Sequence, residues 1–383
     1  MRTTKILIYS WIIGKKSKDI ILKIITNKNL PHIGLAVMFC CLSIIFYDLV
    51  GRFNEAPFDG VFQTLFPLRR IDAGELPGRD FFYFHGNGIP YLLYPIYYIV
   101  KVITGHELVA SLWSTFLVNL LFLYLPIYVF FWKRFGLSSA SASILVISSI
   151  NEFLFIFGFY NSPIFVGAPM GIRMAPHLLM LAVFSSRLSP SERITLKDIF
   201  ILGCTLGLAP LVAAEQGIFA IGGATLALLF TGDRLKNKLT NSMLLLLISS
   251  SVFLIIQIIF FGNLNTLKAM KIISDNQIWV YGVYPNTFFA SISEVFSFSK
   301  ILAFPSQLTT IVATLSIFWL LLWRTKDDAL KISVLAMYFG GLLSWVSNVG
   351  YVGQHQSAIF MKLILIIGVA YFMQKSQKRE FAL

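Results

Sequence analysis

Long apolar runs alternate with short polar segments over most of this 383-residue chain. The runs recur from Leu30 to the C-terminus, and many approach the roughly 20 residues that a helix needs to cross about 30 Å of hydrocarbon. Because loops and open sheet edges cannot face lipid, the pattern predicts an all-α integral membrane protein with about ten transmembrane helices. The predicted spans are 30–50, 108–131, 137–157, 174–186, 199–214, 218–230, 242–261, 302–323, 333–347 and 358–373.

The placement of lysine and arginine predicts the orientation of these spans. Basic residues cluster in short segments between the apolar runs, as at Lys133 and Arg134, and segments of this kind face the cytoplasm. Both termini are therefore expected on the cytoplasmic side. Residues 1–29 carry lysines around short apolar pieces and are predicted to form a cytoplasmic amphipathic segment. Residues 30–383 are predicted to form a single polytopic membrane domain.

One apolar segment, Gly88–Thr104, has two interpretations. If it spanned the membrane, the basic pair Lys133 and Arg134 would face outside. If it lies in the plane of the interface, the next span returns the chain to the cytoplasm and the pair faces inward. The positive-inside rule favours the second arrangement. We therefore expect an in-plane external helix after the first long loop.

Composition supports a membrane protein and argues against a soluble domain and against a nucleic-acid-binding protein. The chain is 57% hydrophobic and only 13% charged, whereas soluble domains carry about 25% charged residues. The net charge of +13 arises from short basic segments and not from a continuous stripe, so nucleic acid is not an expected partner. The three cysteines, Cys40, Cys41 and Cys204, lie inside apolar runs and have neither disulfide nor metal-ligand spacing.

Two external loops are long enough to carry chemistry, at 51–107 and 262–300. In the first loop, acids and arginines nearly cancel between Gly51 and Gly88, and aromatic residues are interspersed among them. A folded loop of this composition against a bilayer has two interpretations. It is either the wall of an active site or a structured loop with surface salt bridges.

Asp59, near the start of this loop, is the candidate catalytic residue. A carboxylate between Phe58 and Gly60 is partly shielded yet reachable, as a general base for a hydroxyl acceptor requires. The alternative is that Asp59 caps the helix that is expected to start near Gly60.

The candidates for binding substrate or phosphate are Arg69, Arg70, Arg79, Asp80, His85, Arg173, Glu215, His355 and Lys362. Arginine suits phosphate because its planar guanidinium donates two parallel hydrogen bonds. The arginines of the first loop can equally pair with acids such as Asp72, Glu75 or Asp80. Arg173 is expected in a later external loop and has no acid near it in the sequence.

The remaining candidates lie at the ends of later spans. Glu215 and Gln216 fall where two short spans meet and are expected to face the protein interior. His355 and Lys362 are seven residues apart and share a face if helical. That pair would bind a lipid phosphate, or Lys362 would extend to the interface. No metal motif is present, and a divalent cation at Asp59, Asp72 or Asp80 stays open as a cofactor.

A known family has a similar arrangement in its first loop. Asp59 is followed by Ala73-Gly74-Glu75-Leu76-Pro77-Gly78-Arg79-Asp80-Phe81, then by His85-Gly86-Asn87-Gly88-Ile89-Pro90-Tyr91 and by Gly105. This order resembles the GT-C-type membrane glycosyltransferases, which place an acid early in the first external loop and an in-plane helix before the second span. The segment 206–220 also resembles a later element of such enzymes.

The resemblance implies an activity. A GT-C enzyme of this type would move a sugar from a polyprenyl-phosphate carrier to a glycan, lipid or protein acceptor of the cell envelope. The reaction would take place on the external side of a bacterial cytoplasmic membrane, with Asp59 as the base and with inversion at the anomeric carbon. The acceptor would contact the external loops, particularly residues 262–300.

Two other functions fit a polytopic membrane protein. A transporter or flippase for lipid-linked glycans would have two repeated halves and charges at the membrane midplane. The sequence has no evident repeat, and its charges cluster at the predicted external ends. A polysaccharide polymerase would place its chemistry in the loop 262–300, whereas here the charged cluster is in the first loop.

Overall fold

The computed structural model describes residues 30–52, 60–83, 85–156, 164–165, 167–187, 194–230, 234–262 and 328–347, together with the short pieces 264, 267, 315, 363–364 and 366–371. All the regular secondary-structure elements in these residues are helices. They are α1 (Leu30–Gly51), α2 (Val61–Asp72), α3 (Gly88–Thr104), α4 (Glu107–Phe135), α5 (Leu137–Ile156), α6 (Met170–Arg187), α7 (Leu196–Val212), α8 (Ala214–Leu228), α9 (Leu235–Phe261) and α10 (Asp328–Ser347).

The all-α prediction is confirmed for the described residues, and three helices are long and apolar enough to cross a membrane. These are α1, α4 and α9. Shorter apolar helices cover Gly88–Thr104, Leu137–Ser148 and Ala329–Leu343. The count of about ten spans stays a prediction. The predicted span 302–323 and the loop 262–300 lie almost entirely outside the described residues, as does the segment 1–29.

Two predicted boundaries are wrong. Helix α6 begins at Met170 and not at Met174, so Arg173 lies inside a helix and not in a loop. The first turn of α6 is held by the Asn119 side chain, which accepts a hydrogen bond from the Ile172 amide at 3.1 Å. Helix α8 begins at Ala214 and not at Ile218, so Glu215 and Gln216 lie in its first turn.

Helix α4 is the centre of one half of the bundle. It packs against α3, α5 and α6. It also contacts α1 through aromatic residues: the Phe116 ring stacks on the Phe46 ring of α1, with 4.2 Å between the ring centroids. At about 1.5 Å per residue, its 29 residues extend about 43 Å, which is longer than a hydrocarbon core. Its length allows it to support both the membrane part and the segment α2–α3.

Glycine permits close helix approach in the other half. A Cβ atom on Gly207 of α7 would lie 2.7 Å from the Ser249 carbonyl oxygen of α9. A Cβ atom on Gly223 of α8 would lie 2.5 Å from backbone atoms of α10, including the amide nitrogen of Gly340. Small residues allow backbones to approach in this way in membranes, where no hydrophobic effect drives helices together.

The outer surfaces of α1 and α9 are apolar and exposed. Tyr47 on α1 and Phe260 on α9 are each 72% exposed. An exposed apolar face of this kind would be costly in water and is typical of contact with lipid. The surface therefore supports the membrane assignment that hydropathy gave.

Helix α3 occupies the predicted bounds, Gly88–Thr104, and ends at Gly105 with a φ of 70°. It packs along α4 and α2 through buried Leu93 and Tyr97, while Val102 and Ile103 on its other side are exposed. The prediction of a helix here is confirmed, and its orientation in the membrane plane stays a prediction.

Candidate functional site

Helix α2 is anchored to two other parts of the chain by one buried hydroxyl. The Thr64 Oγ1 atom lies 2.9 Å from the Gly167 carbonyl oxygen and 3.1 Å from the Ser111 hydroxyl of α4. The same region is tight, because a Cβ atom on Gly167 would lie 2.7 Å from the Val61 Cα atom. These contacts fix the start of α2 against the segment that leads into α6.

A network of four charges joins α2, α3 and α4. Lys101 of α3 donates to the carboxylates of Asp72 at 2.6 Å and Glu107 at 2.8 Å. Arg69 donates to Glu107 at 2.7 Å. Burial by itself would raise the pKa of the Asp72 carboxyl, but hydrogen bonds from Lys101 and Tyr94 lower it below its ordinary value. Among the arginines of the first loop, Arg69 is thus paired with the Glu107 carboxylate.

The next two arginines of the loop are also paired. Arg70 binds the Glu75 carboxylate, and its guanidinium lies 4.2 Å from the centroid of the Phe81 ring. Arg79 pairs with Asp80 at 2.9 Å, and Asp80 also accepts from the Leu76 amide at 2.8 Å.

The first-loop arginines therefore support the salt-bridge interpretation. Each of Arg69, Arg70 and Arg79 has a carboxylate partner, so binding a ligand phosphate would compete with an existing pair. Exposed pairs of this kind contribute little to stability, because water and salt screen the charges. The pairs link charges within the loop and to the start of α4, and binding of a phosphate by these arginines stays a prediction.

His85 occupies the centre of the loop and is buried. Its Nε2 atom lies 3.0 Å from the Gln63 Oε1 atom of α2, and its carbonyl oxygen accepts a 2.8 Å hydrogen bond from the Ala214 amide at the start of α8. Burial, reinforced by the positive charge of Arg173, places the pKa of His85 well below its ordinary value. The imidazole is therefore neutral at pH 7.

Glycine lets this loop lie directly on the end of α7. A Cβ atom on Gly86 would lie 2.9 Å from the carbonyl oxygens of Leu211 and Val212, and Gly86 has a φ of 144°. A Cβ atom on Gly88 would lie 2.6 Å from the Leu211 carbonyl oxygen. The loop, the end of α7 and the start of α8 are thus one packed unit.

Arg173 is the buried cation of the site. Its side chain lies in the first turn of α6 and the residue is only 8% exposed. Its one described polar contact is between Nη1 and the Met170 Sδ atom at 4.0 Å, and no carboxylate in the described part of the chain pairs with it. Arg173 thus differs from the three paired arginines of the first loop.

A hydrogen-bonded pair lies one helical turn further along α6. His177 Nε2 is 2.9 Å from Gln216 Oε1 of α8, and both residues are buried. Glu215, the residue before Gln216, is half-buried and has no ion pair among the described residues. The arrangement brings Arg173, Glu215 and His85 to the same end of the bundle.

Three candidates lie outside the described residues: Asp59, His355 and Lys362. The residue after Asp59 is described. Gly60 precedes α2 with a φ of 71°, and a Cβ atom on it would lie 2.6 Å from the Ala168 Cβ atom and 3.2 Å from the Gln63 side chain. In the described part of the chain, no group of three His, Cys, Asp or Glu residues is placed to hold a metal ion.

Four residues of this region were not predicted from the sequence: Gln63, Thr64, Asn119 and His177. Asn119 and His177 are strongly polar residues within largely apolar stretches of α4 and α6, and such residues are candidates for function or for helix contacts. Gln63 and Thr64 lie in the short helix α2, and their sequence context gives no comparable indication of a function.

Comparison with protein-family models, with curated proteins and with solved structures finds no match for this chain.

Proposed function

We propose that this protein is a membrane glycosyltransferase that transfers a sugar from a polyprenyl-phosphate carrier to an acceptor of the cell envelope. The observation that carries the proposal is Arg173, a buried guanidinium with no carboxylate partner among the described residues. Arg173 lies beside His85, and His85 belongs to the loop whose sequence resembles the GT-C-type glycosyltransferases.

A buried cation of this kind favours an anionic ligand. Removing a charge from water costs several kcal/mol unless a counter-charge is present. A guanidinium donates two parallel hydrogen bonds to a phosphate and is the best side chain for that geometry. The phosphate of the lipid donor would supply the missing charge. Neutral His85 adds a hydrogen-bonding group without adding repulsion toward other cations.

The residue that follows the candidate base in the sequence lies close to the segment that leads to Arg173. Asp59 is bonded to Gly60, whose backbone lies against Ala168, five residues before Arg173. This proximity supports a base and a phosphate-binding group that act on one donor.

The proposed reaction is an inverting displacement. The Asp59 carboxylate accepts the proton of the acceptor hydroxyl, and that oxygen attacks the anomeric carbon of the donor sugar. The bond between the anomeric carbon and the phosphate oxygen breaks, and polyprenyl phosphate leaves with both electrons of that bond. Arg173 stabilises the negative charge that the phosphate gains.

The test is release of free polyprenyl phosphate by purified protein from a panel of polyprenyl-phosphate sugars. Wild type is compared with Asp59→Asn, each with and without a divalent cation. Arg52→Met is the control, because that arginine is exposed, is paired with Asp48 and is not among the candidate binding residues. We expect release by wild type and by the control, and none by Asp59→Asn at unchanged thermal stability.

Two outcomes would overturn the proposal. Release by Asp59→Asn at the wild-type rate would remove Asp59 from the chemistry. No release from any donor by folded wild type, combined with transfer of a lipid-linked glycan across proteoliposomes, would replace the transferase by a transporter.

A further inference from the structure

We infer that His177 and Gln216 are positioning residues for the anion site: their buried hydrogen bond sets the register of α6 against α8 and thereby holds Arg173 and Glu215 at one end of the bundle. The role of that end in binding a lipid phosphate rests on the proposed function. The register itself does not.

The pair is placed to act in this way by helical geometry. Residues four apart on a helix lie one turn apart, with Cβ atoms about 6 Å from each other, so Arg173 is one turn from His177 on α6. Glu215 directly precedes Gln216 on α8. A bond between His177 and Gln216 therefore fixes the separation of the two neighbouring functional candidates.

The hydrogen bond has few competitors. His177 is fully buried and Gln216 is 1% exposed, so water cannot readily replace either partner. A polar group that loses its partner in such a place keeps the full cost of its desolvation. Sliding α6 along α8 would break the 2.9 Å bond between His177 and Gln216.

Close packing on the opposite side restricts the pair further. A Cβ atom on Gly340 of α10 would lie 2.6 Å from His177 Nδ1, and Gly223 of α8 packs on Gly340 in turn. Helix α10 thus closes directly over the imidazole and over α8. The ring has no room to move away from Gln216.

The start of α8 is held separately by the first loop, through the 2.8 Å bond from the Ala214 amide to the His85 carbonyl oxygen. The position of α8 is therefore shared by the loop and the His177–Gln216 pair. Loss of the pair would leave α8 attached to the loop and α6 attached to α4 through Asn119, so α6 and α8 could shift relative to each other. The expected consequence is exposure of Arg173.

The experiment measures reaction of Arg173 with phenylglyoxal, an arginine-specific reagent, by peptide mass spectrometry on the full-length protein in detergent. The variants are His177→Leu and Gln216→Met, which remove the bond, and His177→Gln, which allows an amide–amide bond. The matched control is Gln257→Leu, because Gln257 is an equally buried glutamine of α9 whose Oε1 atom has no partner among the described residues.

We expect Arg173 to react about ten-fold faster in both disrupting variants, since losing one buried hydrogen bond shifts a local opening equilibrium by about that factor. The rate should stay near wild type in His177→Gln and in Gln257→Leu. Unchanged reactivity in His177→Leu and Gln216→Met would overturn the inference, and so would an equal rise in Gln257→Leu, which would indicate general loosening.

The same assay separates this inference from the proposed function. If polyprenyl phosphate protects Arg173 of wild type from the reagent, the site binds the donor class. If it gives no protection while the two disrupting variants still expose Arg173, the positioning role stands and the transferase proposal fails. If His177→Leu does not fold, Gln216→Met still tests the inference, because it removes the same hydrogen bond.

Discussion

The carbonyl oxygen of His85 accepts a hydrogen bond of 2.8 Å from the backbone amide of Ala214. These residues are well over one hundred positions apart in the sequence, and the bond joins the first loop to the first turn of α8. It brings the loop that follows Asp59 next to the helix that carries Glu215. Any change that displaces this loop should therefore alter the candidate site.

Replacing Arg173 separates a ligand-binding role from a structural role. We expect Arg173→Met to weaken donor binding by about 100-fold, because truncating one member of a buried charge pair costs about 2–5 kcal/mol. Thermal stability of the ligand-free protein should be unchanged or higher, since an uncompensated buried charge is removed. Thermal melting with and without polyprenyl phosphate checks both. A clear loss of ligand-free stability would indicate a structural ion pair.

His85 predicts how stability depends on pH. Its native pKa is lowered well below the ordinary value of 6.5, so below pH 6.5 the unfolded chain takes up a proton that the native state does not. Stability should fall as pH drops below about 6.5, by up to about 1.4 kcal/mol per pH unit. His85→Gln should lose that component. Melting curves between about pH 5 and pH 8 measure it, and since His177 is present in both proteins, it cancels in the difference.

Equal pH dependence in wild type and His85→Gln would contradict a neutral buried imidazole at position 85. Glutamine is the suitable replacement because its amide can still reach Gln63, which retains the contact with α2.

Thr64→Val tests the anchor of α2. The change keeps the shape of the side chain but leaves the buried Gly167 carbonyl oxygen without the 2.9 Å bond. We expect a loss of about 1–3 kcal/mol in the free energy of unfolding, the cost of an unsatisfied buried acceptor. Thr104→Val is the control, because that exposed hydroxyl bonds within its own helix. A similar loss of unfolding free energy in both variants would show that the buried Thr64 hydrogen bond stabilises the fold no more than the exposed one.

Gly88→Ala tests the contact between the loop and α7. The new Cβ atom would lie 2.6 Å from the Leu211 carbonyl oxygen, so the backbone must move, at a cost of about 1–3 kcal/mol. Gly51→Ala is the control, because a Cβ atom there meets nothing within 4 Å. We expect a lower melting temperature and reduced donor binding only for Gly88→Ala. An unchanged melting temperature in Gly88→Ala would show that the loop can move away from α7 without loss of stability.

The sequence predicted the helices well where hydropathy alone decides them. Helix α1 ends within one residue of its expected bound, and α3 matches its predicted bounds. A long apolar run must satisfy its backbone groups internally, so its secondary structure follows from local composition. Boundaries failed at Arg173 and Glu215, because a charge in an apolar context was interpreted as a loop.

The chain by itself thus determined the apolar helices and the concentration of charge in the first loop. Only the tertiary structure decided which arginines are paired. Arg69 meets Glu107 from across the loop, whereas Arg173 is buried among helices that bring it no carboxylate in the described residues. The physical reason is that pairing depends on distances between segments far apart in sequence. Local composition fixes the charges present, and packing fixes which of them are paired.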